Sequence, residues 1–213
     1  MEVQRLQSTN EAWRQLLVRV YMVVFFPLAI IFSFISFFLI SSLIRERDVF
    51  FLGFFMCVWI GAIAPVIHIS HRAITNKKIL KRVVDNIRDQ KFFDPVRSFE
   101  SYQEAAGKYV GIDTRNGTLL YVHKIRKGEF DVVGLSMEDW TRREGEGTTL
   151  RIFTKLVDLP CIEVNTTSAE SWFNTLGAME HKRYNTPQPF MAYVNHHIEL
   201  LEYENKIHIP KLA

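Results

Sequence analysis

One sequence feature limits the possible folds of this chain more than any other: residues 20–44 contain no charged side chain. The charged segment Arg45-Glu46-Arg47-Asp48 follows, and a second apolar run occupies residues 49–69. Because an α-helix rises about 1.5 Å per residue, about 20 apolar residues cross a bilayer core about 30 Å thick, and both runs are long enough. Two buried helices of this length would give a soluble domain no polar face to expose to water. The pattern therefore predicts a transmembrane helical hairpin over residues 20–71, with spans at about 20–44 and 49–69.

The segments that flank the hairpin predict its orientation. Residues 1–19 are expected to form an interfacial segment, because Ser8 and Glu11 have the spacing of a capping box and Trp13 suits the headgroup region. Residues 72–91 contain clearly more Lys and Arg than the turn between the spans. By the positive-inside rule, this excess places both termini of a multi-pass membrane protein in the cytoplasm.

Small residues predict how the spans pack. In the second span they recur at every fourth position, at Gly53, Cys57 and Gly61. If the chain turns at residues 45–48, this ridge lies opposite small polar residues of the first span, Ser33, Ser36 and Ser41. Small residues allow two helices to approach closely. The pattern favours a seam that closes the hairpin on itself, and the alternative is a contact with a second copy or with another membrane protein.

The remaining sequence is typical of a cytoplasmic α+β domain. Residues 72–107 predict a basic juxtamembrane helix and a linker, with a short helix that begins at Ser98 and ends at Ala106. Residues 108–185 contain short apolar runs separated by turn residues, followed by one helical pattern. Such short connections favour an antiparallel β meander, because parallel strands need long crossovers. The predicted fold is a PH-like roll or barrel that a C-terminal helix closes.

The last part of the chain, residues 186–213, is predicted to be a C-terminal tail. Phe190 begins a helical pattern that extends to about Glu204. Residues 208–213 are expected to form an exposed end.

The sequence contains no recognisable motif of enzyme chemistry. The seven histidines include His68 and His71, but none has the H-E-x-x-H spacing of a catalytic zinc site. Cys161 lies in an apolar strand pattern, which predicts an unreactive thiol. The net charge of +3 is too small to indicate a nucleic acid partner. We therefore expect a non-enzymatic protein without a metal or another cofactor.

One segment combines the residue types that are enriched where proteins bind each other. Trp140, Arg142 and Arg143 lie within four consecutive positions, and both Trp and Arg are enriched at binding hot spots. We predict that these three residues contact a partner. The alternative is that Trp140 belongs to the core and that the arginines are ordinary exposed strand residues.

Several segments of the sequence resemble a known family. Residues 108–113, 117–122, 140–142 and 149–155, together with the N-terminal double span, resemble ExcA-type entry (surface) exclusion proteins of IncI-group conjugative plasmids. The Gly111-Ile112-Asp113 segment and the hairpin after it also resemble the start of bacterial PH-like domains. That second resemblance implies an alternative function, a membrane-anchored module that binds lipid or another membrane complex.

The first resemblance implies a function without catalysis. The protein would lie in the bacterial inner membrane of a plasmid-carrying cell and recognise a TraY-type inner-membrane component of a related transfer apparatus. That recognition would block redundant transfer of the same plasmid. Membrane lipids and a second copy of the chain are further expected partners. Since the predicted topology places the domain in the cytoplasm, either the partner reaches the recipient envelope or the hairpin takes part in recognition.

Overall fold

The computed structural model describes residues 20–46, 49–126, 128–205 and 207–210. The interfacial segment predicted for residues 1–19 lies outside these residues. The chain divides into two compact units, residues 1–71 and residues 72–213. Each unit is described by itself.

The first unit contains two long apolar helices. A π-helical turn, Tyr21–Phe25, leads into α1 (Phe26–Glu46), and α2 comprises Val49–Ile87. The Tyr21 hydroxyl donates a hydrogen bond to the Ala62 carbonyl, and the Phe32 and Phe54 rings meet edge to face with centroids 6.5 Å apart. Since later residues of α1 contact earlier residues of α2, the two helices run antiparallel.

One helix of the described residues is long and apolar enough to cross a membrane, and it is α2 over Met56–Ile87. A shorter apolar stretch, Val23–Ser36, lies mainly in α1. Large apolar side chains of both helices are exposed, as at Phe34 and Ile60.

Two antiparallel sheets form the second unit, which confirms the predicted antiparallel β region. The first sheet has the strand order β1-β2-β3-β4, and the second has the order β5-β6-β7. The strand bounds are β1 Glu100–Gln103, β2 Lys108–Asp113, β3 Thr118–Arg126, β4 Glu129–Ser136, β5 Trp140–Glu146, β6 Thr149–Thr154 and β7 Cys161–Asn165. Two helices follow the last strand, α3 (Ala169–Glu180) and α4 (Phe190–Asn205).

The short helix predicted from Ser98 to Ala106 is wrong, because β1 occupies part of this segment. Long-range contacts favour the strand. The Tyr109 hydroxyl donates a hydrogen bond of 2.8 Å to the Glu100 carboxylate, and Arg88 makes an ion pair of 2.7 Å with the same carboxylate. Tyr102 lies against Tyr109 with ring centroids 4.6 Å apart. These cross-strand contacts outweigh the local helical pattern.

The first sheet is buried on both faces. One face packs in a single core with the second sheet and α3, through Val110, Ile112, Leu119, Tyr121, Val133 and Leu135. The opposite face packs against α2 and α4, through Tyr109, Leu120, Val122, Phe130 and Val132. From α2 this second core takes Leu80, Val83, Val84 and Ile87. Burial of both faces explains why apolar residues are nearly continuous along β3 and β4.

Helices α3 and α4 each cover one sheet. Trp172 of α3 is 1% exposed, and its indole N–H donates a hydrogen bond of 2.9 Å to the Ser98 carbonyl. Helix α4 packs on β4, where a Cβ atom on Gly134 would lie only 2.6 Å from Val194. The absence of a side chain at Gly134 therefore permits the close approach of helix and strand.

The C-terminal segment is part of the fold, and the exposed end predicted for residues 208–213 is wrong at Ile209, which is 2% exposed. The His208 backbone extends the edge of β4, since it accepts a hydrogen bond from the Phe130 N–H (2.9 Å) and donates one to the Gly128 carbonyl (2.7 Å). The Glu202 carboxylate accepts a hydrogen bond of 2.6 Å from the Ile209 N–H. These contacts fix the segment at the sheet edge.

Candidate recognition surface

The second sheet has one face buried in the core and one face exposed to solvent. Along β6 and β7, inward residues such as Ile152 and Val164 alternate with outward residues such as Arg151 and Glu163. This alternation is that of a strand with one face in the core and one in solvent. We call the outward side chains the recognition surface: Arg142, Glu144, Arg151, Phe153, Cys161 and Glu163.

The recognition surface carries an organised set of charges around one aromatic ring. The Arg142 guanidinium lies 4.5 Å from the Phe153 ring centroid and makes an ion pair of 2.8 Å with Glu144. Arg151 lies between Glu146 (3.4 Å) and Glu163 (3.5 Å). Hydrogen bonds to these two carboxylates raise the pKa of Arg151, so its charge is permanent. Such a surface can bind a partner through cation–π, aromatic and ionic contacts.

Cys161 also belongs to this surface. Partial burial and, to a lesser extent, the neighbouring Glu163 raise the pKa of its thiol. The thiol is therefore protonated at neutral pH and is a weak nucleophile.

The structure separates the three residues that the sequence predicted as one binding site. Trp140 is 9% exposed and packs in the core between the sheets. Arg143 contacts α3: its Nε donates a hydrogen bond of 3.0 Å to the Phe173 carbonyl, its guanidinium lies 4.6 Å from the Phe173 ring, and it pairs with Glu180. Arg142 remains exposed.

A β-bulge explains this separation. The register of β5 against β6 shifts between Trp140 and Arg142, so that Trp140 opposes Thr154 while Arg142 opposes Phe153. From one pair to the next, β5 advances by two residues while β6 advances by one. The side chains of β5 after the bulge therefore point to the opposite faces from those that regular pairing would give. Sequence reasoning missed Phe153 and Arg151, although their alternation with Leu150 and Ile152 is a signal of exposed strand positions.

The structure describes only some of the residues of the predicted small-residue seam. Among the described residues, a Cβ atom built on Gly53 or Gly61 would meet no atom within 4 Å, and Cys57 is exposed. Ser36 is buried, but its hydroxyl donates to the Phe32 carbonyl of its own helix at 2.6 Å. The side chain of Ser33 lies outside the described residues. Among the described residues, Tyr21, Phe32 and Phe54 make contacts between the two helices, and the closed seam of small residues stays a prediction.

The buried Asp113 carboxylate connects two loops of the second unit. The Asp113 carboxylate, 2% exposed, accepts hydrogen bonds from the backbone N–H groups of Asp94 (2.8 Å) and Arg115 (2.8 Å) and from the Asn116 side chain (2.7 Å). It therefore joins the β2–β3 turn to the loop after α2.

His123 lies between Lys108 and Asp131 across the first sheet. Burial and, secondarily, the charge of Lys108 lower the pKa of His123 to about 3.

Within the described ranges, no group of three or more His, Cys, Asp or Glu side chains is arranged to hold a metal ion. The structure thus defines an α+β protein with two antiparallel sheets, a helix of membrane-spanning length and a charged, exposed sheet face. Over residues 1–213 the chain matches the family model of the exclusion-determining proteins, and it belongs to that family. It is therefore an entry exclusion protein, as its resemblance to ExcA-type proteins implied. No curated protein and no solved structure matches the chain.

Proposed function

We propose that this protein blocks redundant transfer of an IncI-group plasmid by binding a TraY-type inner-membrane component of the transfer apparatus. The family match over the whole chain carries this proposal. Exclusion of a related plasmid requires the discrimination of self from non-self, which is a difference between binding free energies. The protein acts by binding and has no enzymatic activity.

In this proposal the first unit is a transmembrane hairpin in the bacterial inner membrane with both termini in the cytoplasm. The support is the antiparallel arrangement of α1 and α2 and the exposure of their apolar side chains, such as Phe34 and Ile60. A water-soluble helix pair would bury such side chains, whereas lipid solvates them. The Lys and Arg residues of 72–91 support the orientation.

We further propose that the second unit is a PH-like roll. The support is the order of four antiparallel strands, three antiparallel strands and then α3, with residues of both sheets and α3 in one core. The recognition surface on the second sheet is the proposed contact with the transfer apparatus. Arg142 is central to this contact, because it combines an exposed charge with an aromatic neighbour, and such groups dominate many interfaces.

The test is conjugation into recipients that express only this protein. Donors carry either an IncI-type plasmid or an unrelated plasmid as the control. The expected result is a large fall in transfer frequency for the IncI-type plasmid alone. Equal transfer of both plasmids, with the protein present in the membrane fraction, contradicts the proposed specificity.

Variants of the recognition surface locate the contact. One variant carries both Arg142→Ala and Phe153→Ala. The matched control is Asn174→Ala on the exposed side of α3. Loss of exclusion in the first variant and retention in the control support the recognition surface. Retention of exclusion in both variants would indicate that the hairpin recognises the partner and that this surface does not. Denaturant unfolding of each variant distinguishes lost binding from lost folding.

A further inference from the structure

We infer that α2 presents a lipid-binding face, made of Ile74, Lys78, Lys81 and Arg82, to the anionic headgroups of a membrane. This inference concerns an interaction surface that is separate from the proposed contact with the transfer apparatus. It holds whether or not the protein recognises a TraY-type partner.

The lipid-binding face is the exposed stripe of a helix whose other side is buried. Its residues follow one another at spacings of three or four residues or as neighbours, so they share one side of α2. The opposite stripe packs in the core through Leu80, Val83, Val84 and Ile87, each 0% exposed. Packing of the buried stripe therefore fixes the direction in which the cations point.

The three cations of this face have no ion-pair partner among the described residues. Neighbouring cations are paired: Lys77 of α2 with Glu104 at 2.6 Å, and Arg88, directly after the helix, with Glu100 at 2.7 Å. A protein that neutralises some of its helix cations and leaves three neighbours exposed has a surface that attracts polyvalent or clustered anions. Arg97 adds a cation from a neighbouring segment to the cleft beside Lys81, which also contains the carboxylates of Asp85, Glu100 and Glu104.

Continuity along α2 identifies the anion as a lipid surface. In the sequence, Lys78 follows the end of the second apolar run, Ile69, by nine residues. Ile74 is 54% exposed and precedes the cations on the same stripe. An exposed apolar side chain followed by cations, directly after an apolar helix, matches the change from acyl chains to anionic headgroups.

Lysine acylation measures the contact in the native full-length protein. The protein is reconstituted into nanodiscs of phosphatidylcholine alone or of phosphatidylcholine mixed with phosphatidylglycerol. A water-soluble acylating reagent then labels lysines, and mass spectrometry gives the rate at each site. Lys155 and Lys182 serve as matched controls, because both are exposed and neither has an ion-pair partner among the described residues.

We expect the anionic nanodiscs to slow the labelling of Lys78 and Lys81 by about three-fold or more relative to both controls, since the attraction adds up over several charges. Salt at about 1 M should remove this protection, because the Debye length is then about 3 Å. Equal relative rates in the two nanodiscs overturn the inference. Protection by free glycerophosphate in neutral nanodiscs also overturns it, because that result assigns the cations to a soluble phosphate ligand.

Discussion

The guanidinium of Arg142 lies 4.5 Å from the centre of the Phe153 ring on the open face of the second sheet. The next residue in the chain, Arg143, points elsewhere and joins β5 to α3 through Phe173 and Glu180. Two neighbouring arginines therefore have different structural roles, one at the surface and one between elements. The following experiments separate these roles and test the packing around them.

Arg143→Ala should reduce stability, whereas Arg142→Ala should not. Loss of Arg143 removes its hydrogen bond to the Phe173 carbonyl and its ion pair with Glu180, at a cost of about 1–3 kcal/mol. Loss of the exposed Arg142 should cost about 1 kcal/mol or less, since exposed ion pairs and cation–π contacts are weak. Denaturant unfolding followed by Trp fluorescence measures both variants, with Lys182→Ala as the control. Equal destabilisation by the two Arg variants contradicts this assignment.

Gly134→Ala should destabilise the second unit by about 1–3 kcal/mol, because overpacking of a full core forces side chains out of their preferred positions. A Cβ atom at this position would lie 2.6 Å from Val194 and 2.9 Å from Phe190. Gly145→Ala is the matched control in a strand, since its Cβ atom would meet Phe173 at 3.4 Å. The comparison of the two unfolding free energies checks the packing of α4 on β4. An unchanged stability of Gly134→Ala would show that α4 lies further from the strand.

The free energy of unfolding should decrease as the pH is lowered, because His123 binds a proton more readily in the unfolded state than in the folded state. The pKa of this side chain is about 3 in the folded protein, against an ordinary histidine value of 6.5. Above pH 6.5 the His123 side chain is neutral in both the folded and the unfolded protein. Between pH 6.5 and pH 3 it binds a proton only in the unfolded protein. The unfolding free energy should therefore decrease by up to about 1.4 kcal/mol for each pH unit in this window.

Substitution of His123 isolates this contribution from that of other titrating groups. His123→Gln should have a shallower dependence of stability on pH between 6.5 and 4 than the parent protein. Unfolding at a series of pH values, in the same detergent, gives both slopes. Identical slopes would mean that His123 is accessible to protons in the folded state.

Gly61→Leu should leave the protein folded. No atom of the described residues lies within 4 Å of a Cβ atom on Gly61, so the larger side chain has room there. The yield of folded protein and its unfolding transition measure the effect, with Phe54→Ala as a comparison that removes the contact with Phe32. Loss of folded protein on Gly61→Leu would instead support the seam that the small-residue pattern predicts.

Local sequence patterns predicted the elements that depend on local interactions. The apolar runs located α1 and the start of α2, and the turn residues indicated antiparallel strands. The periodicity after Thr167 and after Phe190 indicated α3 and α4. The two-sided burial of the first sheet also had a signal, because Leu119-Leu120-Tyr121-Val122 is a continuous apolar run.

Long-range contacts determine what the patterns missed. Strand β1 depends on the bonds of Glu100 with Tyr109 and Arg88, which no local pattern reveals. The role of Arg143 depends on a bulge next to Trp140, and a single sequence does not show where an extra residue enters a strand. The burial of Ile209 depends on pairing with an edge almost 80 residues earlier in the chain, at Phe130.

The contribution of α2 to the second core limits how this protein can be divided in evolution or in the laboratory. The side chain of Asn76, earlier in the helix, is also buried, and it donates a hydrogen bond of 3.0 Å to the Glu104 carbonyl. A fragment that began at the first strand would expose the side chains of Leu120 and Val122 that α2 covers. Recombination between related genes that exchanged only the sheets would lose this cover, so a functional exchange has to carry the last turns of the helix with them.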